Sequence, residues 1–167
     1  MEPFPPTSAA LEDPNGLLAV GGDLSAARLL EAYQRGIFPW YEPGEPILWW
    51  TPQPRAVLRP TEFHASKSLR KFLKTNAWQV EYDLRFEQVI DACAASSPGR
   101  EETWISDDMK AAYLELHRLG YAHSVEVIDN DRLIGGLYGV KLGKIFFGES
   151  MFSMTSNASK VALKALC

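Results

Sequence analysis

The chain has 167 residues, 46% of them hydrophobic and 23% charged, enough to bury a core in one large domain or two small ones. No apolar run approaches a membrane span, and Met1-Glu2-Pro3-Phe4-Pro5-Pro6 lacks the basic flank and apolar centre of a signal peptide. A formal net charge of -4 excludes bulk attraction to nucleic acid, so any RNA contact must come from a local patch.

Pro and Gly punctuate residues 14 to 52, with one helix between them. Ser25 caps it, Ala26, Leu29, Leu30 and Tyr33 form its apolar face, and Gly36 ends it. After Ile37-Phe38-Pro39-Trp40-Tyr41 and a turn comes Ile47-Leu48-Trp49-Trp50-Thr51-Pro52. Pro52 and Pro54 fix the chain and lack amide donors, which marks a boundary. Residues 1–53 are therefore expected to form a small N-terminal domain, and residues 54–167 a second one.

The second part reads as a helix at about 65–75 and a strand from Trp78 to Tyr82. Asp83 is then expected to cap a helix with Phe86, Val89, Ile90 and Cys93 inward. A polar loop, Ser96 to Glu102, leads to Trp104 and to a helix capped by Ser106 and closed by Gly120. Three strands follow, Ala122 to Ile128, Leu133 to Val140 and Ile145 to Glu149, and short turns make them an antiparallel meander. A last helix begins near Asn157. This order is that of the front half of an acetyltransferase-type N-acyltransferase fold.

Lys67, Arg70, Lys71 and Lys74 fall at i, i+3, i+4 and i+7, on one face of a helix whose other face carries Ala65, Leu69, Phe72 and Leu73. Like charges at this spacing repel, and a polyanion is the partner that relieves them; a solvated basic face is the plainer alternative. Trp40, Trp49, Trp50 and Trp104 are placed in or beside loops. Trp49 and Trp50 suit local core, whereas Trp40 and Trp104 suit an open face that stacks on a base if the two domains approach.

A coenzyme A enzyme of this fold places a glycine-rich loop after its fourth strand. Here that segment is Ser150-Met151-Phe152-Ser153-Met154-Thr155-Ser156, without glycine, which disfavours coenzyme A. His64, His117 and His123 have no ligand spacing with Cys93 or Cys167, so no metal is expected, and the two cysteines suit a reducing cytoplasm. His117, His123 and Cys93 are assigned no catalytic duty. Glu149 is left as the distinctive group, a carboxylate at a strand end beside Phe146, Phe147 and Met151. It suits the ammonium of an amino acid whose apolar side chain fills the slot, or a nearby Lys or Arg.

Several segments together resemble the leucyl/phenylalanyl-tRNA–protein transferase family: Asn15–Ser25, Gly36–Tyr41, Pro46–Pro52, Thr103–Ile105, Ala122–Glu126, Gly135–Val140, Phe147–Ser153 and Asn157–Lys160. The resemblance implies an α/β (α+β) protein with a small N-terminal domain and an acetyltransferase-like (GNAT-type) acyltransferase domain. It implies transfer of Leu, Phe or Met from aminoacyl-tRNA to proteins with N-terminal Arg or Lys, marking them for degradation by the N-end rule. A cytoplasmic monomer without cofactor, metal or membrane is expected.

By position, Trp40 and Trp104 match residues that hold the 3′-terminal adenosine. Leu137, Phe146 and Glu149 match the aminoacyl pocket with Ser150 beside it, and Leu137 replaces a Met found in some members. Lys67, Arg70, Lys71 and Lys74 match the basic helix that grips the tRNA body. The family's Asp-Cys-Gln motif, proposed to act on the attacking amine, has no counterpart in the 167 residues, so the acyltransferase domain is expected to be incomplete at its C-terminus and its catalytic residues are unassigned. Two other classes fit the same residues: an inactive tRNA-end binding fragment, and an acyltransferase using another activated donor.

Overall fold

A computed structural model describes residues 3–95 and 103–167, and the expected polar loop from Ser96 to Glu102 lies outside them. Two compact units divide the chain, Met1–Ala56 with Ser96–Leu116, and Val57–Ala95 with His117–Cys167. Among the described residues no helix is long and apolar enough to cross a membrane.

The first unit holds strand β1 (Leu17–Val20), helix α1 (Ala26–Gln34), and the short strands β2 (Phe38–Pro39) and β3 (Leu48–Trp50). They make an antiparallel sheet in the order β1-β3-β2, so Pro39, without an amide donor, sits on an edge strand where none is required. Ser25 caps α1 by accepting from the Arg28 amide, as expected. The Arg28 side chain is itself buried, its guanidinium 3.3 Å from the centroid of the Phe4 ring and 5.6 Å from that of Trp49. Trp49 is fully buried and donates through Nε1 to the Gly21 carbonyl at 2.8 Å. Trp49 and Trp50 lie in the short strand β3 beside loops, paired with β1 and β2, and Trp49 is core as expected, whereas Trp50 is only half-buried.

Helix α4 (Asp107–Arg118) has Ser106 accepting from the Met109 amide at its start and Asp107 and Asp108 in its positive first turn. Within the first unit the buried hydroxyls of Tyr33 and Tyr113 are hydrogen-bonded to each other.

The second unit contains α2 (Lys67–Thr75), β4 (Gln79–Tyr82), α3 (Phe86–Ala94), β5 (Ala122–Asp129), β6 (Arg132–Leu142), β7 (Ile145–Ser153) and α5 (Ala158–Leu166). Its sheet is wholly antiparallel in the order β4-β5-β6-β7. Asn130 and Asp131 take φ values of 47° and 63°, which two-residue hairpin turns demand and which these residue types tolerate. Side chains alternate across the sheet. Val125, Val127, Ile134 and Leu137 face Ala158, Val161 and Ala162 of α5, with Phe72 and Leu73 of α2 against the same cluster. Ser124, Glu126 and Tyr138 alternate with these along β5 and β6, and the Tyr138 ring meets Phe86 of α3 edge-on at 5.8 Å.

Two sequence expectations fail locally. Asp83 does not cap α3: Arg85 occupies the cap position without a side-chain bond, while Asp83, at φ 60°, turns its carboxylate to β5. The last strand does not end at Glu149 but runs to Ser153, because β6 is long enough to pair with it beyond that point.

Helix α5 approaches β6 where Gly135 has no side chain: a Cβ there would lie 2.4 Å from the Ala158 Cβ. Gly135→Ala is expected to lower stability by roughly 1–3 kcal/mol through overpacking. Gly148→Ala, where a Cβ meets nothing within 4 Å, should change it by no more than about 0.5 kcal/mol. Urea unfolding of both variants checks the contrast.

Candidate active site

The distinctive geometry lies between β6 and β7. Tyr138 pairs with Ser150 and Gly139 with Gly148, so Glu149 is one extra residue on β7. Such a bulge re-aims the side chain it carries and recurs beside active sites. Gly139 is what permits the close approach: a Cβ there would lie 2.1 Å from the Phe147 carbonyl oxygen and 2.6 Å from the Phe146 ring. The Phe146 ring therefore lies over Gly139, on the sheet face that carries Leu137. Leu137 is buried and pairs with Met151, while Phe146, Glu149 and Ser150 are half-buried.

The four residues expected in the aminoacyl pocket lie on adjacent strands: Leu137 and Phe146 share one face of the sheet, while Ser150 pairs with Tyr138 of the other face and the bulge residue Glu149 precedes it. The correction concerns Glu149, which is a bulge residue within β7 rather than a strand end. Tyr138 records its electrostatic reach. Burial raises the Tyr138 hydroxyl pKa well above its usual value, and the neighbouring charge of Glu149 raises it further. Tyr138 therefore stays neutral and donor-competent through the physiological range.

Trp40 and Trp104 both belong to the first unit. Trp40 is exposed, its carbonyl accepts from Trp50 Nε1 at 2.7 Å, and its ring meets that of Trp50 edge-on with centroids 5.9 Å apart. Trp50 thus holds an exposed ring in place, a role that the tandem tryptophans by themselves do not reveal. Trp104 is half-buried in the bend before α4, and its carbonyl accepts from the Ser106 amide at 3.0 Å. Lys67, Arg70, Lys71 and Lys74 are all exposed on α2, where with Leu73 they line an open groove of about 570 Å³. Leu69 is buried on the opposite face, as the helical spacing required.

A polar cluster went unread in the sequence. Asp83 accepts from His123 Nδ1 at 2.8 Å and from the Ser124 amide at 2.9 Å. His117 stacks flat on Phe86, centroids 4.2 Å apart, and its Nδ1 donates to the Ala122 carbonyl at 2.8 Å. His123 thus pins the start of β5 to the turn after β4, and His117 ties it to the end of α4. The register sets His123 opposite Gly139, next to the strand position over which the Phe146 ring lies. Nearby, Glu126 is fully buried, with one carboxylate oxygen accepting from the Ser124 hydroxyl. Only the short Ala122–Glu126 segment hinted at these groups, because their partners are some 40 residues away. Among the described residues no three His, Cys, Asp or Glu side chains form a group that could hold a metal ion.

Comparison with known proteins adds an independent line. A family model described as leucyl/phenylalanyl-tRNA protein transferase matches residues 57–167, and one described as the N-terminal domain of that transferase matches residues 22–53. Curated relatives named leucyl/phenylalanyl-tRNA–protein transferase include one from Xanthomonas euvesicatoria pv. vesicatoria (strain 85-10). It is 61% identical over 165 residues, which cover 98% of this chain and 66% of the relative. Another, from Pseudomonas putida (strain W619), is 59% identical over 163 residues, covering 98% and 72%. A third, from Enterobacter sp. (strain 638), is 58% identical over 164 residues, covering 98% and 69%. The chain spans about two thirds of the length of these relatives.

Asp83→Asn keeps the left-handed turn but turns one carboxylate oxygen into an amide donor, so one of its two bonds fails. A loss of about 1–2 kcal/mol is expected, read by urea unfolding, with a change in the His123 ring resonances.

Proposed function

The chain belongs to the leucyl/phenylalanyl-tRNA–protein transferase family, and from that premise we propose that it transfers Leu, Phe or Met from aminoacyl-tRNA to the N-terminal Arg or Lys of an acceptor protein. The observation that carries this reading is the β6–β7 bulge at Glu149, on the strand that carries Phe146 and pairs with Leu137. The order strand, two helices, three antiparallel strands and helix supports an acetyltransferase-like (GNAT-type) scaffold for residues 54–167 beside a small N-terminal domain over 1–53. The setting is the bacterial cytoplasm, the product a protein marked for degradation by the N-end rule, and the working form a monomer.

The reaction is aminolysis of an activated ester: the acceptor nitrogen forms an amide bond to the aminoacyl carbon, and the ester oxygen leaves with the ribose. An α-amine with a reference pKa near 8 is already partly neutral at cytoplasmic pH. The protein's task is then mostly positioning, removal of one proton and stabilisation of the oxyanion. Leu137 and Phe146 receive a long unbranched or aromatic side chain, while β-branching near the ester would clash at the neck of the slot. Glu149, with Ser150 beside it, binds the ammonium of the aminoacyl group. Trp40, braced by Trp50, and Trp104 stack on the 3′-terminal adenosine, an interaction worth roughly 1–3 kcal/mol per base. Lys67, Arg70, Lys71 and Lys74 hold the tRNA body.

Transfer of labelled leucine from Leu-tRNA to a protein with N-terminal Arg tests the activity. A folded chain that binds tRNA and transfers nothing would instead support a recognition fragment. Glu149→Gln is expected to lower kcat/KM by about 10- to 100-fold, the loss of one charge-assisted hydrogen bond, with an unchanged unfolding midpoint. Lys71→Glu with Lys74→Glu should weaken tRNA binding steeply at low salt, and an unchanged affinity would return the stripe to a solvated face.

A further inference from the structure

The cations of α2 have company on the same side of the sheet. Helix α5 packs on the apolar cluster that α2 also covers, Val161 and Ala162 from one helix and Phe72 and Leu73 from the other. The outward row of α5 carries Lys160 and Lys164, one helical turn apart, Lys160 exposed and Lys164 exposed along its outer side. The Lys164 ammonium stands 5.8 Å from the centroid of the Phe63 ring, and Phe63 lies three residues before Ser66, the cap of α2. This contact ties the α5 row to the end of α2 where Lys67 sits.

The charge around these helices has one sign. From Phe63 to Trp78, and from Asn157 to Cys167, there is no Asp or Glu at all, in a chain whose formal net charge is -4. Among the described residues none of Lys67, Arg70, Lys71, Lys74, Lys160 or Lys164 takes part in an ion pair. Six cations on two helices that share one core repel one another unless an anion lies across them.

We propose that the RNA-binding surface spans two helices, with Lys160 and Lys164 of α5 contacting the phosphodiester backbone of tRNA together with the cationic row of α2. The proposal rests on the reading of α2 as a tRNA-body surface. Lys160 and Lys164 make no base contacts in this scheme. They add affinity and salt sensitivity without sequence preference, as neutralisation of phosphates does.

The test is equilibrium binding of deacylated tRNA by the full 167-residue chain between about 50 and 200 mM salt, the range over which phosphate neutralisation dominates affinity. The double variant Lys160→Ser with Lys164→Ser should flatten the plot of log affinity against log salt by about 1.5, from roughly 0.7–0.9 for each phosphate no longer neutralised. Its unfolding midpoint should fall only slightly, through loss of the Lys164–Phe63 contact, so the variant stays folded over the salt range used. Lys71→Ser with Lys74→Ser should flatten the slope similarly. Lys141→Ser with Lys144→Ser, which removes the same charge at the β6–β7 turn, should leave it unchanged. An unaltered slope in the α5 variant beside a flattened one in the α2 variant would overturn this proposal alone. An unaltered slope in the α2 variant, or no tRNA binding by the parent chain, would overturn the reading on which it rests. Equal flattening by the turn variant would reduce the effect to diffuse charge and also overturn it.

Discussion

The second unit is organised by one close approach. Because Gly139 has no Cβ, the Phe147 carbonyl and the Phe146 ring can lie against β6, and the strand pair absorbs the extra residue Glu149. Without that freedom the bulge has no room, and the placements of the aromatic ring and of the carboxylate are both lost. A half-buried carboxylate is costly unless something cationic or hydrogen-bonding meets it. The neutral hydroxyl of Tyr138 gives this neighbourhood a donor that does not ionise.

Helices support that arrangement from both faces of the sheet by different means. On one face α2 and α5 cover an aliphatic cluster and leave their cations outward. On the other, α3 lies over polar residues of β5 and β6, where Ser124 and Glu126 satisfy each other in part and Phe86 packs against both Tyr138 and His117. Buried polar groups of this kind fix register, since a one-residue slip would turn every one of them to the opposite face. Asp83 adds a second register lock by binding the Ser124 amide and His123 at the start of β5.

The first unit solves its own problem with aromatic and cationic packing. Its strands are short, and Arg28 beside Phe4 and Trp49 supplies packing area that an aliphatic side chain of the same length would not match electrostatically. Consecutive tryptophans then take opposite roles. Trp49 is core, whereas Trp50 turns to the other side of the strand and donates to the Trp40 carbonyl, bracing a ring that stays exposed. Exposure of a braced aromatic ring is what a stacking platform requires.

By itself the sequence determined the local elements whose causes are local. The cap of α1 at Ser25, the amphipathic spacing of α2 with Leu69 inward and four cations outward, the Asp129–Asp131 turn and the meander it joins all follow from residues within a few positions of one another. The ordered motifs also carried the family. Only the tertiary structure decided what depends on partners farther along the chain: that Trp50 braces the exposed Trp40, that Asp83 bonds to β5 instead of capping α3, and that Glu149 is a bulge within a strand running on to Ser153. The physical reason is common to all three. Capping and periodicity are short-range and survive in any linear reading, whereas strand pairing is settled by the neighbouring strand, which for Glu149 is an absent Cβ on Gly139.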